Sequence, residues 1–197
     1  MPQIIIKINK MKKLLGKIML GITGWKYAPN NFDPKKERKT VLICVPHTSN
    51  WDFYYALACF WIMGVPIRMF IKDYYTKAWF GFFFKALGCI GVDRTKRQNL
   101  VEYAVNVINT TDDIAIINTP ESTRGYSDQW KQGFYHIAKS ANVPIVLGYA
   151  DYKKKECGII KLVHVEDKTF EQVLDEIGPH YNAEMAKYPE NYNSKLY

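Results

Sequence analysis

VLICVPHTSNWDFYYALACFWIM, residues 41–63, decides how the chain is read. Val41–Val45 is a short, wholly apolar run, the pattern of a strand buried on both faces. Trp51–Met63 is too long and too apolar for a surface strand and reads as a buried helix. Between them stands the polar stretch PHTSNWD, with His47 and Asp52 in an HxxxxD spacing. A strand feeding a loop and then a helix is half of a βαβ crossover, so the rest of the chain should repeat that rhythm.

It does. Downstream come a strand at Ile67–Lys72, an aromatic-rich helix at Thr76–Leu87, a short strand at Ile90–Asp93, a helix from about Gln98 to Asn109 and a strand at Ile114–Asn118. After a polar loop follow a helix near Gly133–Ser140, a strand at Pro144–Tyr149, a hairpin partner at Gly158–Val165 and a C-terminal helix from Phe170. Beyond Pro189 the composition predicts a frayed tail. The fold class expected is α/β, a single-layer, mostly parallel sheet flanked by helices. At 197 residues, one domain with at most an appendage is allowed.

Upstream, the charge is uneven. The formal excess of +8 lies entirely in residues 1–40, whereas residues 41–197 carry equal numbers of acidic and basic side chains. No RNP sequence or finger spacing accompanies the basic segment, so no nucleic-acid partner is expected and an anionic membrane surface fits better. Met11, Leu14, Leu15, Ile18, Met19 and Ile22 form one apolar stripe at helical spacing, with Lys10, Lys12, Lys13 and Lys17 beside it. Periodicity alone leaves open whether this amphipathic helix lies on lipid or packs on the domain. Lys17 interrupts the apolar run of a signal peptide, and no apolar stretch approaches the ~18 residues of a transmembrane helix. Cys44, Cys59, Cys89 and Cys157 show neither paired nor metal-ligand spacing, so reduced thiols and no metal are expected.

The polar residues that matter follow the strand ends, where a rigid sheet presents loops to a shared crevice. A histidine there can take a proton from an alcohol, and a carboxylate one turn on can hold its other ring nitrogen. An isolated His capping a helix and a first-turn acid would look the same. Lys72, Arg94 and Arg124 also stand at strand ends, where they could grip a phosphate or form ordinary surface ion pairs.

Taken together, HTSNWD (47–52), GCIGVDR (88–94), TPESTRG (119–125) and VPIVL (143–147) resemble, in order and spacing, the four blocks of the glycerolipid acyltransferase superfamily, which includes 1-acylglycerol-3-phosphate acyltransferases. The resemblance covers roughly residues 38–165, and WKQGFYHIA (130–138) resembles the segment that follows the third block. It implies transfer of a fatty acyl group from a thioester, on coenzyme A or acyl carrier protein, to the hydroxyl of a lysolipid, most simply 1-acylglycerol-3-phosphate. No bound cofactor is implied. His47 would be the general base and Asp52 its orienting partner. Lys72, Arg94, Glu121, Ser122, Thr123 and Arg124 would form the substrate site, the cations taking the anionic head group and Glu121 fixing the third loop. Ser122 departs from the family's glycine, Leu147 from its second proline, and Thr119 from a more common apolar residue. A lyso-amino-acid lipid as acceptor, or a non-catalytic membrane-binding protein on the same fold, are the alternatives. The chain divides into a membrane-docking segment (1–37), an acyltransferase domain (38–188) and a tail (189–197), expected at the cytoplasmic face of a membrane as a peripheral or monotopic protein.

Overall fold

The computed structural model describes residues 2–30, 32–93 and 99–194, with side chains from Asn9 onward. Seven strands form one sheet: β1 (Lys26–Tyr27), β2 (Lys39–Cys44), β3 (Ile67–Lys72), β4 (Cys89–Val92), β5 (Ile114–Asn118), β6 (Ile145–Asp151) and β7 (Glu156–Val163), in the order β1-β7-β6-β2-β5-β3-β4. Every neighbouring pair is parallel except the β6–β7 hairpin. The mostly parallel α/β sheet expected from the apolar strands is thus observed. Successive residues of β2 point to opposite faces, and both faces are covered. Val41 and Ile43 join a core with α5 (Leu100–Thr110), α6 (Gly133–Ala141) and α7 (Phe170–Ile177). Leu42 joins the other, under α2 (Trp51–Met63) and the end of α1 (Pro2–Thr23).

Helix α1 lies against α2 through a narrow contact. A Cβ on Gly16 would stand 2.6 Å from the Ala58 carbonyl oxygen, so only glycine permits this approach. Leu20 is buried beside it, and the Tyr54 hydroxyl donates to the Met19 carbonyl at 2.9 Å. Met11, Leu14, Leu15, Ile18 and Ile22 are left exposed, Ile22 at 78%. Immediately after α1, Trp25 enters the core and β1 joins the sheet beside β7. Gly16, Met19, Leu20, Trp25 and β1, all within the basic N-terminal region, are thus in contact with the main body.

Three expectations need correction. The aromatic segment 76–87 is two short helices, α3 (Asp73–Lys77) and α4 (Gly81–Ala86), because the chain extends at Ala78 and Gly81 then sits against the Thr76 backbone where a Cβ would overlap it. The helix expected from Gln98 begins at Leu100, capped by the Asn99 side chain, which accepts from the Val101 and Glu102 amides. The stretch after Pro189 is not frayed as far as it is described: Tyr192 and Asn193 are buried, and Asn193 Nδ2 donates to the Ser127 and Asp128 carbonyls at 2.8 and 2.6 Å.

Candidate active site

Strands β2 and β5 are central neighbours running the same way, so the loops leaving their C-terminal ends meet. The loop after β2 carries His47 and the loop after β5 carries Glu121. They are joined directly, the His47 backbone N–H donating to Glu121 Oε2 at 2.8 Å.

Asp52 holds the other side of this loop. From the first turn of α2 its Oδ2 accepts the Thr48 and Ser49 amides, each at 2.8 Å, and lies 3.2 Å from His47 Nδ1. Its Oδ1 accepts the Tyr152 hydroxyl at 2.6 Å. Asp52 is only 5% exposed, and four donors compensate the burial of its charge. The HxxxxD spacing thus has a local cause: one carboxylate both folds the loop that precedes its helix and orients the imidazole carried by that loop. With Nδ1 turned to the carboxylate, Nε2 has no protein partner among the described residues and faces outward from a side chain 18% exposed. That geometry suits a neutral imidazole ready to accept a proton at Nε2, with Asp52 stabilising the imidazolium that results.

Glu121 is unusual. It is buried, its Oε1 has no hydrogen-bond partner, and burial pushes its carboxyl up to about 8 despite the His47 amide, with Asp52 adding repulsion. A carboxyl raised on folding stabilises the native state fully below its unfolded value near 4.5, and that contribution is lost as pH climbs through about 8. Replacing Glu121 with Gln keeps an acceptor for the His47 amide and removes the ionisation. Thermal midpoints of the two proteins should agree near pH 5, and the variant should melt roughly 5 °C higher at pH 9. Parallel midpoints across that range would show that Glu121 does not titrate in this window.

The loop 119–125 answers the question raised by Ser122. Its φ is 57°, in the left-handed region where the resembling family has glycine, and the Ser122 amide closes a turn onto the Thr119 carbonyl at 2.9 Å. Serine is thus held, under strain, in a backbone conformation that favours glycine. Ser122→Gly relieves about 1–2 kcal/mol but adds about 0.5–1 kcal/mol of unfolded-chain freedom, so a net gain of up to ~1.5 kcal/mol is expected in a urea titration. A destabilised Ser122→Gly would mean that the hydroxyl has a role of its own.

The remaining residues divide. Ser122, Thr123 and Arg124 are exposed on the loop after β5, at the same sheet edge as His47. Lys72 ends β3 at that edge, also exposed, and neither it nor Arg124 forms an ion pair among the described residues. Arg94 lies outside the described residues. Tyr152, from the turn after β6, was not legible in the sequence, since nothing local links it to a carboxylate 100 positions away. Cys44, partly buried near this carboxylate, has its thiol driven upward by desolvation, with Asp52 and Glu121 adding repulsion, which keeps it neutral.

A family model described as Acyltransferase matches residues 24–146. The structure is similar to that of the 1-acyl-sn-glycerophosphate (LPA) acyltransferase PlsC from Thermotoga maritima, with a TM-score of 0.64 over 88% of this chain and 76% of that one, at 13% sequence identity. No curated protein matches the sequence.

Proposed function

The chain belongs to the acyltransferase family, and from that premise we propose that it moves a fatty acyl group from coenzyme A or acyl carrier protein to the hydroxyl of a lysolipid, 1-acylglycerol-3-phosphate. The observation that carries this reading is the His47–Asp52 pair, with Nε2 unpartnered at the C-terminal edge of the sheet. His47 Nε2 takes the hydroxyl proton as the acceptor oxygen bonds to the thioester carbonyl carbon. The C–S bond then breaks, and the departing thiolate recovers the proton from the imidazolium. No covalent enzyme intermediate is needed, because the thioester is already activated and the site has only to hold two substrates together.

The amides of His47, Thr48 and Ser49 are committed to Glu121 and Asp52. Charge developing on the carbonyl oxygen must therefore be met from elsewhere, and the exposed loop 122–125, leaving β5 at the same sheet edge, is the element proposed for it. Lys72, Arg94 and Arg124 are the residues proposed for the anionic head group. The test is incubation of the purified protein with labelled acyl-coenzyme A or acyl carrier protein and a panel of lysolipids in vesicles. Labelled phosphatidate is the expected product. A product from a lyso-amino-acid lipid instead would move the acceptor assignment, and no product from any pairing would favour the non-catalytic membrane protein.

Delivery of such a lipid suits a protein resting on a membrane, at its cytoplasmic face. Among the described residues no helix is long and apolar enough to cross one. The exposed stripe of α1 flanked by lysines supports surface binding, and Trp79, Phe82 and Phe83, exposed around α4, offer a second apolar contact. Changing Leu14 and Ile18 together to Glu should lower binding to anionic vesicles at least ~10-fold, from the lost burial of two large side chains and the added charge repulsion. Because both positions are exposed, the thermal midpoint should hold. Unchanged sedimentation with vesicles would exclude the stripe as the lipid contact.

A further inference from the structure

We propose that Tyr152 is a positioning residue for the proton transfer: its hydroxyl fixes the Asp52 carboxylate, and the ring is itself fixed by Trp25 and Tyr55. The inference rests on the reading of His47 and Asp52 as the reacting pair. Both oxygens of Asp52 are otherwise unequally held. Oδ2 has two backbone donors and the imidazole, all from its own loop, whereas Oδ1 has the Tyr152 hydroxyl at 2.6 Å as its single partner among the described residues. Without that donor nothing holds Oδ1, and rocking of the carboxylate about its Cβ–Cγ bond would loosen the Oδ2 contacts to the loop amides and to the imidazole together.

Tyr152 is well placed to prevent this. Strand β6 runs parallel to β2, so the turn after it emerges at the sheet edge that carries His47. The Tyr152 amide donates to the Met185 carbonyl at 2.9 Å, which anchors the backbone. Its ring stands edge-on to Trp25 at 4.9 Å and to Tyr55 at 5.7 Å, and those two rings stack at 3.6 Å. Desolvation and the neighbouring carboxylate both drive the phenol upward, so it stays a donor across the working pH range. Trp25, shortly after α1, and Tyr55, in the first turns of α2, thus hold the ring from the β6–β7 turn whose hydroxyl meets Oδ1.

Tyr152→Phe removes the hydroxyl and keeps the ring, so the aromatic cluster and the fold should persist, as near-UV circular dichroism can verify. Two readouts are expected to move. The kcat should fall about 10-fold, with the KM for the lysolipid little changed, since the site loses orientation and no substrate contact. The acid limb of the kcat/KM profile should move to higher pH by about half a unit, because a carboxylate with one donor fewer holds the protonated imidazole more strongly. The other titratable groups facing the pair are Cys44 from β2, Tyr55 from α2 and Glu121 from the loop after β5, with Tyr181 and Tyr192 behind Glu121. Repeating the profile in a Glu121→Gln background separates the limb from Glu121. A folded Tyr152→Phe protein with wild-type kcat and an unmoved limb would overturn the proposal, and so would a lower kcat with no movement of the limb. Asp52→Asn made in parallel distinguishes the two readings: an inactive Asp52→Asn beside an unaffected Tyr152→Phe sinks only the role of Tyr152, whereas an active Asp52→Asn sinks the dyad itself.

Discussion

His47→Ala should abolish acyl transfer, by about 10² to 10⁴ in kcat, while the protein stays folded and keeps its affinity for vesicles. The imidazole is the group whose free nitrogen faces out from the sheet edge, so no neighbour can take over the proton. Asp52 points its oxygens inward to four donors, and Glu121 is turned to the His47 amide and largely protonated at neutral pH. The substitution leaves both loop-forming hydrogen bonds of Asp52 in place, which is why stability should suffer little. His136, His164 and His180 have no buried carboxylate against the ring among the described residues. His136 bonds to Gln132 within α6, and His164 lies 3.9 Å from Glu166 at an exposed site. Replacing any of the three should leave the chemical step intact. Undiminished activity of His47→Ala would remove the proposed base outright.

Asp52→Asn should cost about 10³-fold or more in kcat for a different reason. The amide keeps a similar shape but has one acceptor oxygen where the carboxylate has two, against the Thr48 and Ser49 amides on one side and the Tyr152 hydroxyl on the other. If the oxygen stays with the two amides, the NH₂ group meets the Tyr152 hydroxyl, and the imidazolium formed in the reaction loses its counter-charge. If it turns the other way, a nitrogen faces two N–H donors and the loop carrying His47 opens. Either outcome separates this variant from His47→Ala, because a buried donor left unpaired costs ~1–3 kcal/mol. Loss of activity with a lowered thermal midpoint is expected. Retention of wild-type kcat would show that the carboxylate charge plays no part in catalysis.

What the sequence made legible follows from which forces act locally. β2, β5 and β6 are buried on both faces and read as continuous apolar runs, and their order along the chain brings His47 and Glu121 to one edge. The two short elements escaped for opposite reasons. β1 has two residues at the sheet edge, placed by backbone hydrogen bonds to β7 that no side-chain pattern announces. The break between α3 and α4 depends on how closely Gly81 meets Thr76, a contact invisible in a run of aromatic residues. At the site, His47 and Asp52 are five positions apart and answer to spacing, whereas Tyr152 answers only to the fold. Ser122 lies between: the resemblance marked its position as a glycine's, and its φ of 57° supplied the reason.

The close seat of Gly16 against α2 has a consequence for how the protein would meet a bilayer. Most amphipathic segments fold as they bind and spend part of their affinity on becoming ordered. Here α1 is already helical and clamped to α2 at Gly16, Leu20 and Met19, so adding vesicles should produce no gain of helix in far-UV circular dichroism. The same clamp makes the helix a strut of fixed length between lipid and chemistry. Its far end runs straight into Trp25, whose ring lies two contacts from Asp52. On the proposed arrangement, how deep the stripe sinks sets how high His47 stands above the surface, and a lysolipid is acylated where its hydroxyl rises to that height.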